Sequence, residues 1–350
     1  METMTRSTHG ISGILRNLVK PGNIEQPIRG EIYSAEKFEQ FAAALAKEHK
    51  AADQPKRYKL LRPRLKDNGK VLLGAYYSLA NAIREERSVS PAAEWLVDNF
   101  HIVEEQLREI HEDLPPGYYR ELPKLANGEF AGYPRIYAIA ISIIAHTDSR
   151  LDVEALERFL RSYQAVTPLT IGELWAIAIT LRIVLIENLR RFAWRIIQSR
   201  DAREEAEKLA DELMEIAGKR PEEVLQFVTQ HLDKRTEFET AFVERFTCQL
   251  RDRDLAIAPA YEWLANKLQE RGSSIEMSVE TEYQLQAVAQ VTVGNIITSM
   301  RLLSTIDWRT FFESVSLIDP LFSKDPAKIY SKMTFGTRNR YREVVERIAR

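Results

Sequence analysis

Apolar residues recur at spacings of three and four along almost the whole chain, without a convincing run of alternating apolar and polar residues. Spacings of three and four place side chains on one face of an α-helix, whereas a half-buried strand requires alternation. The pattern predicts helices after residue 34 and at residues 65–86, 91–110, 134–146, 153–164, 171–217, 221–232, 238–251, 259–271, 273–305 and 337–350, with a short one after residue 307. The predicted fold class is therefore all-α: a multi-helix bundle or an irregular helical array with no significant sheet.

Helix start signals support several of these boundaries. In the pair Ser90-Pro91, the serine side chain can accept from the first free N–H groups of a helix, and proline at the first helical position loses no hydrogen bond. Thr170 and Glu173 have the spacing of a capping box, in which each side chain bonds to the other residue's backbone N–H. Ser273 and Glu276 repeat this spacing. Helices are therefore predicted to begin at or just after these residues.

Composition narrows the class of protein further. The chain has 350 residues, of which 14 are glycine and 14 are proline. Together these two residues make up 8% of the chain, below the roughly 12% that they contribute on average. Because glycine and proline punctuate turns, their shortage favours a few long elements over many short strands. The net charge is −2, so nothing global indicates a nucleic-acid-binding protein. Cys248 is the single cysteine, which excludes an intramolecular disulfide framework.

The apolar runs are too short to predict a membrane span. A transmembrane helix needs about 18 or more apolar residues, and the best uninterrupted run is residues 136–145. A second run, residues 174–186, is interrupted by Arg182 and flanked by Glu173 and Glu187. The first ten residues are polar and lack the apolar core of a secretion signal. We therefore expect no transmembrane segment in this chain.

The predicted domain organisation has three parts: a flexible N-terminal segment at residues 1–30, a helical subdomain at residues 31–217, and a second helical subdomain at residues 218–350. In residues 337–350 the apolar positions share one helical face, yet no glycine or proline ends that helix. We therefore expect the second subdomain to be truncated at its C-terminal end, so that the chain is a fragment of a longer polypeptide.

A long loop rich in tyrosine, proline and glycine is predicted at residues 114–134 of the first subdomain. Loops seldom concentrate aromatic residues without a packing or contact role, and aromatic faces beside arginine and glutamate suit sugar recognition or contact with another domain. The candidate contact residues are Tyr118, Tyr119, Arg120, Glu121 and Tyr133. In the alternative interpretation, Tyr118 and Tyr119 are structural plugs that pin the loop onto the helices.

No residue of the chain is predicted to be catalytic, to bind a cofactor or to ligate a metal. Asp98, His101 and Glu105 share one helical face and could offer ligand atoms, but polar helix surface, or His101 hydrogen-bonded in the core, explains them as well. Asp252-Arg253-Asp254 matches the Asp-x-Asp pair of nucleotide-sugar transferases, yet it follows a predicted helix rather than a strand. Nucleotide-binding glycine motifs and the nucleophile elbow of hydrolases are absent from the sequence.

Longer strings resemble a known family, the bacterial cyclic β-1,2-glucan synthases, in their N-terminal region. The strings are WLVDNFHIVEEQ at residues 95–106, LPPGYYRELPKL at 114–125, HTDSR at 146–150, PLTIGELW at 168–175, ENLRR at 187–191, NIITSMR at 295–301 and FFESVS at 311–316. The resemblance covers roughly residues 28–350. These strings are specific because generic helix composition does not produce them.

The resemblance implies a large parent enzyme of the bacterial inner membrane. Its processive glucosyltransferase domain uses UDP-glucose, with Mg²⁺ expected to screen the departing UDP, and further domains cyclise the glucan and adjust its length. The family's Gln-x-x-Arg-Trp signature does not occur in this sequence, so no catalytic residue is carried over and no cofactor is expected in this fragment.

This chain would be a non-catalytic module on the cytoplasmic face of that membrane. It would pack on the downstream transferase and the other domains of the same polypeptide, and β-1,2-glucan is a further candidate partner.

Two alternatives remain. The chain could be a free-standing helical adaptor or scaffold that binds a protein partner through its tyrosine-rich loop and the basic residues at 59–70. A reading frame that continues into membrane helices would favour the synthase, and a stop codon after residue 350 would favour the adaptor. The other alternative is that residues 114–134 form a true glucan site.

Overall fold

The computed structural model describes residues 26–52, 61–113, 117–233, 235, 237–251 and 257–349. Some predicted features lie outside these residues: positions 1–25 of the N-terminal segment, residues 59–60 of the basic stretch, residues 114–116 of the loop, and the motif at 252–254. The described chain is predominantly helical, which confirms the all-α fold class predicted from the apolar spacing.

Fifteen α-helices are defined in the described residues. Helices α1 to α8 span Ala35–Glu48, Leu61–Arg84, Pro91–Asp98, Phe100–Asp113, Tyr118–Glu121, Arg135–His146, Val153–Gln164 and Ile171–Lys219. Helices α9 to α15 span Val224–Leu232, Thr240–Leu250, Ala258–Glu270, Ile275–Thr305, Trp308–Val315, Asp319–Phe322 and Phe335–Ala349. Short 3-10 helices lie at Pro221–Glu223 and Tyr330–Lys332. The strands described are two residues long, with β1 (Ala51–Ala52) paired antiparallel to β2 (Lys124–Leu125).

Most predicted helix starts are confirmed, and the capping contacts explain them. Thr170 and Glu173 form the reciprocal box: the Glu173 N–H donates to Thr170 Oγ1 at 3.1 Å, and the Thr170 N–H donates to Glu173 Oε2 at 2.9 Å. The box predicted at Ser273 is wrong by one residue. Ser274 is the capping residue there, because its Oγ accepts from the Met277 N–H at 3.1 Å.

Two local predictions are wrong, one of an unbroken helix and one of a loop. The helix predicted at 91–110 is interrupted at Asn99, whose Oδ1 accepts a 2.6 Å hydrogen bond from Arg301 Nη2. Asparagine also has a lower intrinsic helix propensity than alanine or leucine. The region predicted as a loop at 114–134 contains the single-turn helix α5 and strand β2 in its described part, because each closes backbone hydrogen bonds that a buried loop would leave open.

The chain forms two compact units, each discontinuous in sequence. Of the described residues, those within Met1–Gly74, Asp98–Arg191 and Thr292–Arg350 form one unit, and those within Ala75–Val97 and Phe192–Val291 form the other. The sequence-based subdomains at 31–217 and 218–350 were continuous. The difference arises because the long helices α2, α8 and α12 contribute residues to both units, and no sequence pattern marks the residue at which a helix changes packing partners.

The core of the first unit is built from apolar helix faces. Helix α1 packs on α7, where the Phe38 and Phe159 rings lie 4.5 Å apart, and α13 packs on the same helix. Helix α6 is buried on nearly all sides, with Ile136, Ile139 and Ile144 fully inaccessible to solvent. A helix that is apolar all round belongs in a core or a bilayer. Among the described helices, none is both long enough and apolar enough to span a membrane.

The core of the second unit combines small residues of α8 with aromatic residues of α10. Ala206, Ala210 and Leu213 of α8 are fully buried, and the short alanine side chains let neighbouring helices approach closely. Phe242 and Phe246 of α10 are also buried, with ring centroids 5.4 Å apart. Helix α9 packs on α11, which completes a compact helical unit.

Candidate functional site

The tyrosine segment, defined as residues 117–134, contains the five candidate contact residues. Tyr118 OH donates a 2.7 Å hydrogen bond to the Gly172 carbonyl, and Tyr119 OH lies 2.9 Å from Thr180 Oγ1. Both partner residues belong to α8, so the two tyrosines attach α5 to that helix. Burial, reinforced by the negative charges of Glu121 and Glu173, raises the pKa of Tyr118 to about 12. Burial also raises the pKa of Tyr119, so both hydroxyls stay protonated at neutral pH.

The other three candidates are divided between the packed and the exposed side of the segment. The Tyr133 ring stacks on Tyr137, with centroids 5.1 Å apart and planes at 29°. Arg120 and Glu121 have exposed side chains. The structure therefore brings Tyr118, Tyr119 and Tyr133 onto the helices and leaves Arg120 and Glu121 at the surface. The hydrogen bonds match the plug interpretation of Tyr118 and Tyr119, while glucan or interdomain contact by the five residues stays a prediction.

A buried ion pair fixes the end of the tyrosine segment. Arg135, the first residue of α6, is 4% exposed, and Glu173 on α8 is fully buried. Arg135 Nε and Nη2 donate to the two Glu173 carboxylate oxygens at 2.8 and 2.6 Å, and Nη2 also donates to the Pro168 carbonyl at 3.0 Å. Bidentate pairing of this kind adds geometric specificity to charge attraction. The capping box of α8 and the start of α6 therefore share one carboxylate.

A second buried carboxylate, Glu187, lies on α8 and is completely inaccessible to solvent. Arg64 of α2 donates to both of its oxygens at 2.8 and 2.5 Å, Tyr137 OH donates at 2.8 Å, and Arg191 donates as well. Burial alone would raise the pKa of Glu187, but the hydrogen bonds and charges of Arg64 and Arg191 outweigh it and lower that pKa. Glu187 is therefore a carboxylate at neutral pH.

The turn after α6 forms a third polar cluster. Asp148 and Ser149 are buried and have φ of +50° and +63°, a left-handed conformation that costs an L-residue roughly 1–2 kcal/mol. Asn188 Nδ2 donates to Ser149 Oγ at 2.9 Å, and Ser299 Oγ donates to the Ser149 carbonyl at 2.7 Å. Thr292 Oγ1 donates to the Asp148 carboxylate at 2.8 Å. These bonds offset the strain and hold the turn in one conformation.

The N-terminal described residues join the same cluster. The Ile28 N–H donates to Asn188 Oδ1 at 2.7 Å, and Asn188 Nδ2 donates to the Ile28 carbonyl at 3.2 Å. Arg29 pairs with Asp148 at 2.8 Å. Together, the clusters around Glu173, Glu187 and Asp148 form what we call the polar core of the first unit. Its carboxylates each accept hydrogen bonds from side chains of this chain, which reduces the penalty for burying their charge.

The sequence leaves two interpretations of the charged helix around His101: a set of metal ligands, or residues with a structural role, such as polar helix surface. Asp98, His101 and Glu105 all have exposed side chains, and Glu105 lies 3.9 Å from Arg108. Within the described ranges, no group of three histidine, cysteine or acidic residues has the geometry to hold a metal ion. The exposure of these residues is that of polar helix surface.

Sequence reasoning missed the polar core, although a signal was present. Glu173 and Glu187 flank an apolar run, and Arg182 interrupts it. In the sequence, the position of these three charges serves only as an argument against a membrane span. An isolated charge within a buried helix requires a partner, and here each has one. Arg182 donates to Gln106 Oε1 at 2.9 Å and to the Leu303 carbonyl at 3.0 Å. Arg64 and Arg135, which pair with Glu187 and Glu173, are distant in sequence, so these pairings could not be derived.

No protein-family model matches the chain. The chain is 35% identical over 289 residues to the cyclic β-(1,2)-glucan synthase NdvB of Rhizobium meliloti (strain 1021). The match covers 83% of this chain and 10% of the relative, so the chain spans a small part of the length of the curated relative. The resemblance predicted from the strings is confirmed.

Proposed function

We propose, from the homology of the chain to part of a cyclic β-(1,2)-glucan synthase, that it is a non-catalytic helical module of such an enzyme. The module packs on the glucosyltransferase domain of the same polypeptide and positions it, and it works at the cytoplasmic face of the bacterial inner membrane. The parent enzyme transfers glucose from UDP-glucose to a growing β-1,2-glucan, with Mg²⁺ bound in the transferase domain rather than by this chain.

A structural role is supported by the residues that the family-like strings contribute to the polar core. They supply Asp148, Glu173, Glu187 and Asn188, the central residues of the polar core. Reacting groups of an enzyme line a cleft where they can touch substrate. Glu173 and Glu187 instead have no solvent exposure, and their oxygens accept from donors of this chain. Such residues fix helices relative to one another within the unit.

Transfer and hydrolysis assays on the purified 350-residue chain test the non-catalytic part of the proposal. The chain is incubated with UDP-glucose, Mg²⁺ and a β-1,2-glucan acceptor, and UDP release and glucan extension are measured. We expect neither above the blank, with the intact parent enzyme as positive control. Transfer by the purified chain that scales with its concentration would refute the proposal.

Deleting the homologous segment from the parent enzyme, and then adding the purified chain back, tests the positioning role. A parent enzyme that lacks the segment homologous to this chain should be inserted in the membrane but make little cyclic glucan. Adding the purified 350-residue chain to those membranes should restore part of the synthesis, because the packing surface is then supplied from a separate molecule. Undiminished synthesis by the deleted enzyme would contradict a positioning role.

A further inference from the structure

A pocket on the second unit has features of a ligand site that the proposed function does not use. It lies between α10, α11 and α12 and has a volume of about 490 Å³, within the range of about 300 to 1,000 Å³ found for small-molecule sites. Tyr261 of α11 and Tyr283 of α12 line it, together with Glu244 of α10 and with Glu280 and Gln284 of α12.

The two tyrosines of the pocket differ from those of the tyrosine segment. Tyr261 is 39% exposed and Tyr283 is 59% exposed, and within the described residues neither hydroxyl forms a hydrogen bond. Tyr118 and Tyr119, by contrast, use their hydroxyls to attach α5 to α8. Large aromatic rings that are exposed beside a pocket can pack on a ligand at a low entropic cost, because a tyrosine side chain has only two torsions to order.

The side chains around these rings favour a neutral ligand rich in hydroxyl groups. Three glutamates, Glu244, Glu276 and Glu280, line the pocket, against one cation, Arg251. This excess of negative charge repels phosphates, nucleotides and anionic lipid headgroups. Carboxylates accept hydrogen bonds from hydroxyls, and the amide of Gln284 can both donate and accept. Sugar rings present hydroxyls at their edges and C–H groups on their faces, and the latter can stack on tyrosine.

Buried contacts of α12 hold the pocket in shape. Glu282, adjacent to Tyr283, is 3% exposed and accepts from Ser199 Oγ at 3.0 Å and from Thr240 Oγ1 at 2.7 Å, while Arg203 pairs with the same carboxylate. These contacts join α8, α10 and α12 within the second unit. A pocket held by buried charges keeps its geometry before a ligand arrives, which reduces the ordering cost of binding.

We propose that the pocket between Tyr261 and Tyr283 binds a segment of neutral glucan, with the tyrosine rings stacked on glucose faces and Glu244, Glu280 and Gln284 hydrogen-bonded to glucose hydroxyls. The identification of glucose as the sugar rests on the proposed function. The pocket would hold part of the polymer close to the parent enzyme during chain growth, without taking part in bond formation.

Calorimetric titration of the 350-residue chain with linear β-1,2-linked gluco-oligosaccharides tests the proposal. The wild type should bind, and Tyr283→Ala and Tyr261→Ala should each weaken binding about tenfold, because each removes one stacked ring. Tyr283→Phe keeps the ring and should retain most of the affinity. Tyr77→Ala is the matched control, since Tyr77 is 55% exposed on the same unit but does not line the pocket. Circular dichroism verifies that all variants are folded.

Three results would overturn the proposal: no binding by the wild type, equal loss in Tyr77→Ala, or unchanged affinity in both pocket variants. Choline is titrated in parallel, because an acidic aromatic pocket can also bind a quaternary ammonium ion. Tyrosine-dependent choline binding without oligosaccharide binding would show that the ligand class is wrong. If the chain binds no glucan while deletion of the homologous segment still abolishes synthesis by the parent enzyme, the pocket proposal fails and the positioning role stands.

Discussion

Replacing Glu187 by glutamine tests whether the polar core stabilises the first unit. The substitution keeps the size and one carbonyl oxygen but removes the negative charge. Arg64 and Arg191 would then be left without the carboxylate that both contact, and an amide NH₂ would face guanidinium donors. The change therefore removes the charge of one buried group and replaces one of its acceptor oxygens by a donor.

The expected magnitude follows from burial. Glu187 has no solvent exposure, and the side chains of Arg191 and Arg64 are 15% and 30% exposed, so water screens the charges that are left behind only in part. Removing one partner from a buried ion pair costs about 3–5 kcal/mol, and we expect Glu187→Gln to fall in that range at pH 7. Because the pKa of Glu187 is lowered in the folded state, its contribution is present above the ordinary glutamate pKa. It is lost as the pH falls through the lowered value.

Urea denaturation followed by circular dichroism measures the effect. The midpoint should fall without a change in slope, since the surface exposed on unfolding is the same. The control is Glu215→Gln, which removes a surface pair with Lys219 whose side chains are 67% and 68% exposed and should leave the midpoint unchanged. A Glu187→Gln midpoint equal to that of the wild type would refute the argument that the polar core stabilises the fold.

Three further changes probe contacts of the first unit, each measured by urea denaturation. Burial lowers the pKa of His49 to about 4, so the unfolded chain takes up its proton first as the pH falls. The stability of wild type relative to His49→Gln should therefore fall by roughly 2 kcal/mol between pH 6.5 and 4, less than the full shift gives because solvent reaches part of the ring; a constant difference would contradict this. Gly30→Ala should cost about 1–3 kcal/mol, because a Cβ there would lie 2.8 Å from His146 Cε1; wild-type stability would contradict this close approach. Tyr119→Phe should cost about 1 kcal/mol, and no further loss is expected when Thr180→Val is added, whereas additive losses would show that the two hydroxyls are not coupled.

The helices were predictable because an apolar face with a 3.6-residue period is written locally in the sequence. Capping residues such as Thr170 and Glu173 are local too, and they gave correct boundaries. The break at Asn99 was not predictable, because it accompanies a hydrogen bond from Arg301, about 200 residues away. The division into two units was not predictable for the same reason: it depends on which distant residues each part of a long helix contacts.

The tyrosines show the same limit for functional residues. Sequence reasoning selected Tyr118, Tyr119 and Tyr133 because a predicted loop rich in proline and glycine concentrates aromatic residues there, and loops often bind ligands. That density also marks a segment that must be attached to the helices beneath it, and the hydroxyls of Tyr118 and Tyr119 are used for that attachment. A tyrosine on a regular helix, such as Tyr261 or Tyr283, has no comparable sequence signal.

Two properties of a tyrosine distinguish a structural role from ligand binding: how exposed its ring is, and whether its hydroxyl is already hydrogen-bonded within the chain. A buried ring whose hydroxyl bonds to the same chain, as in Tyr137 with Glu187, stabilises the fold and cannot release that bond to a ligand without leaving a buried group unpaired. An exposed ring with an unused hydroxyl beside a pocket loses only water when a ligand binds. By this criterion Tyr261 and Tyr283, which are exposed on helices that line the pocket, fit the proposed glucan site, while glucan or interdomain contact by the tyrosine segment stays a prediction.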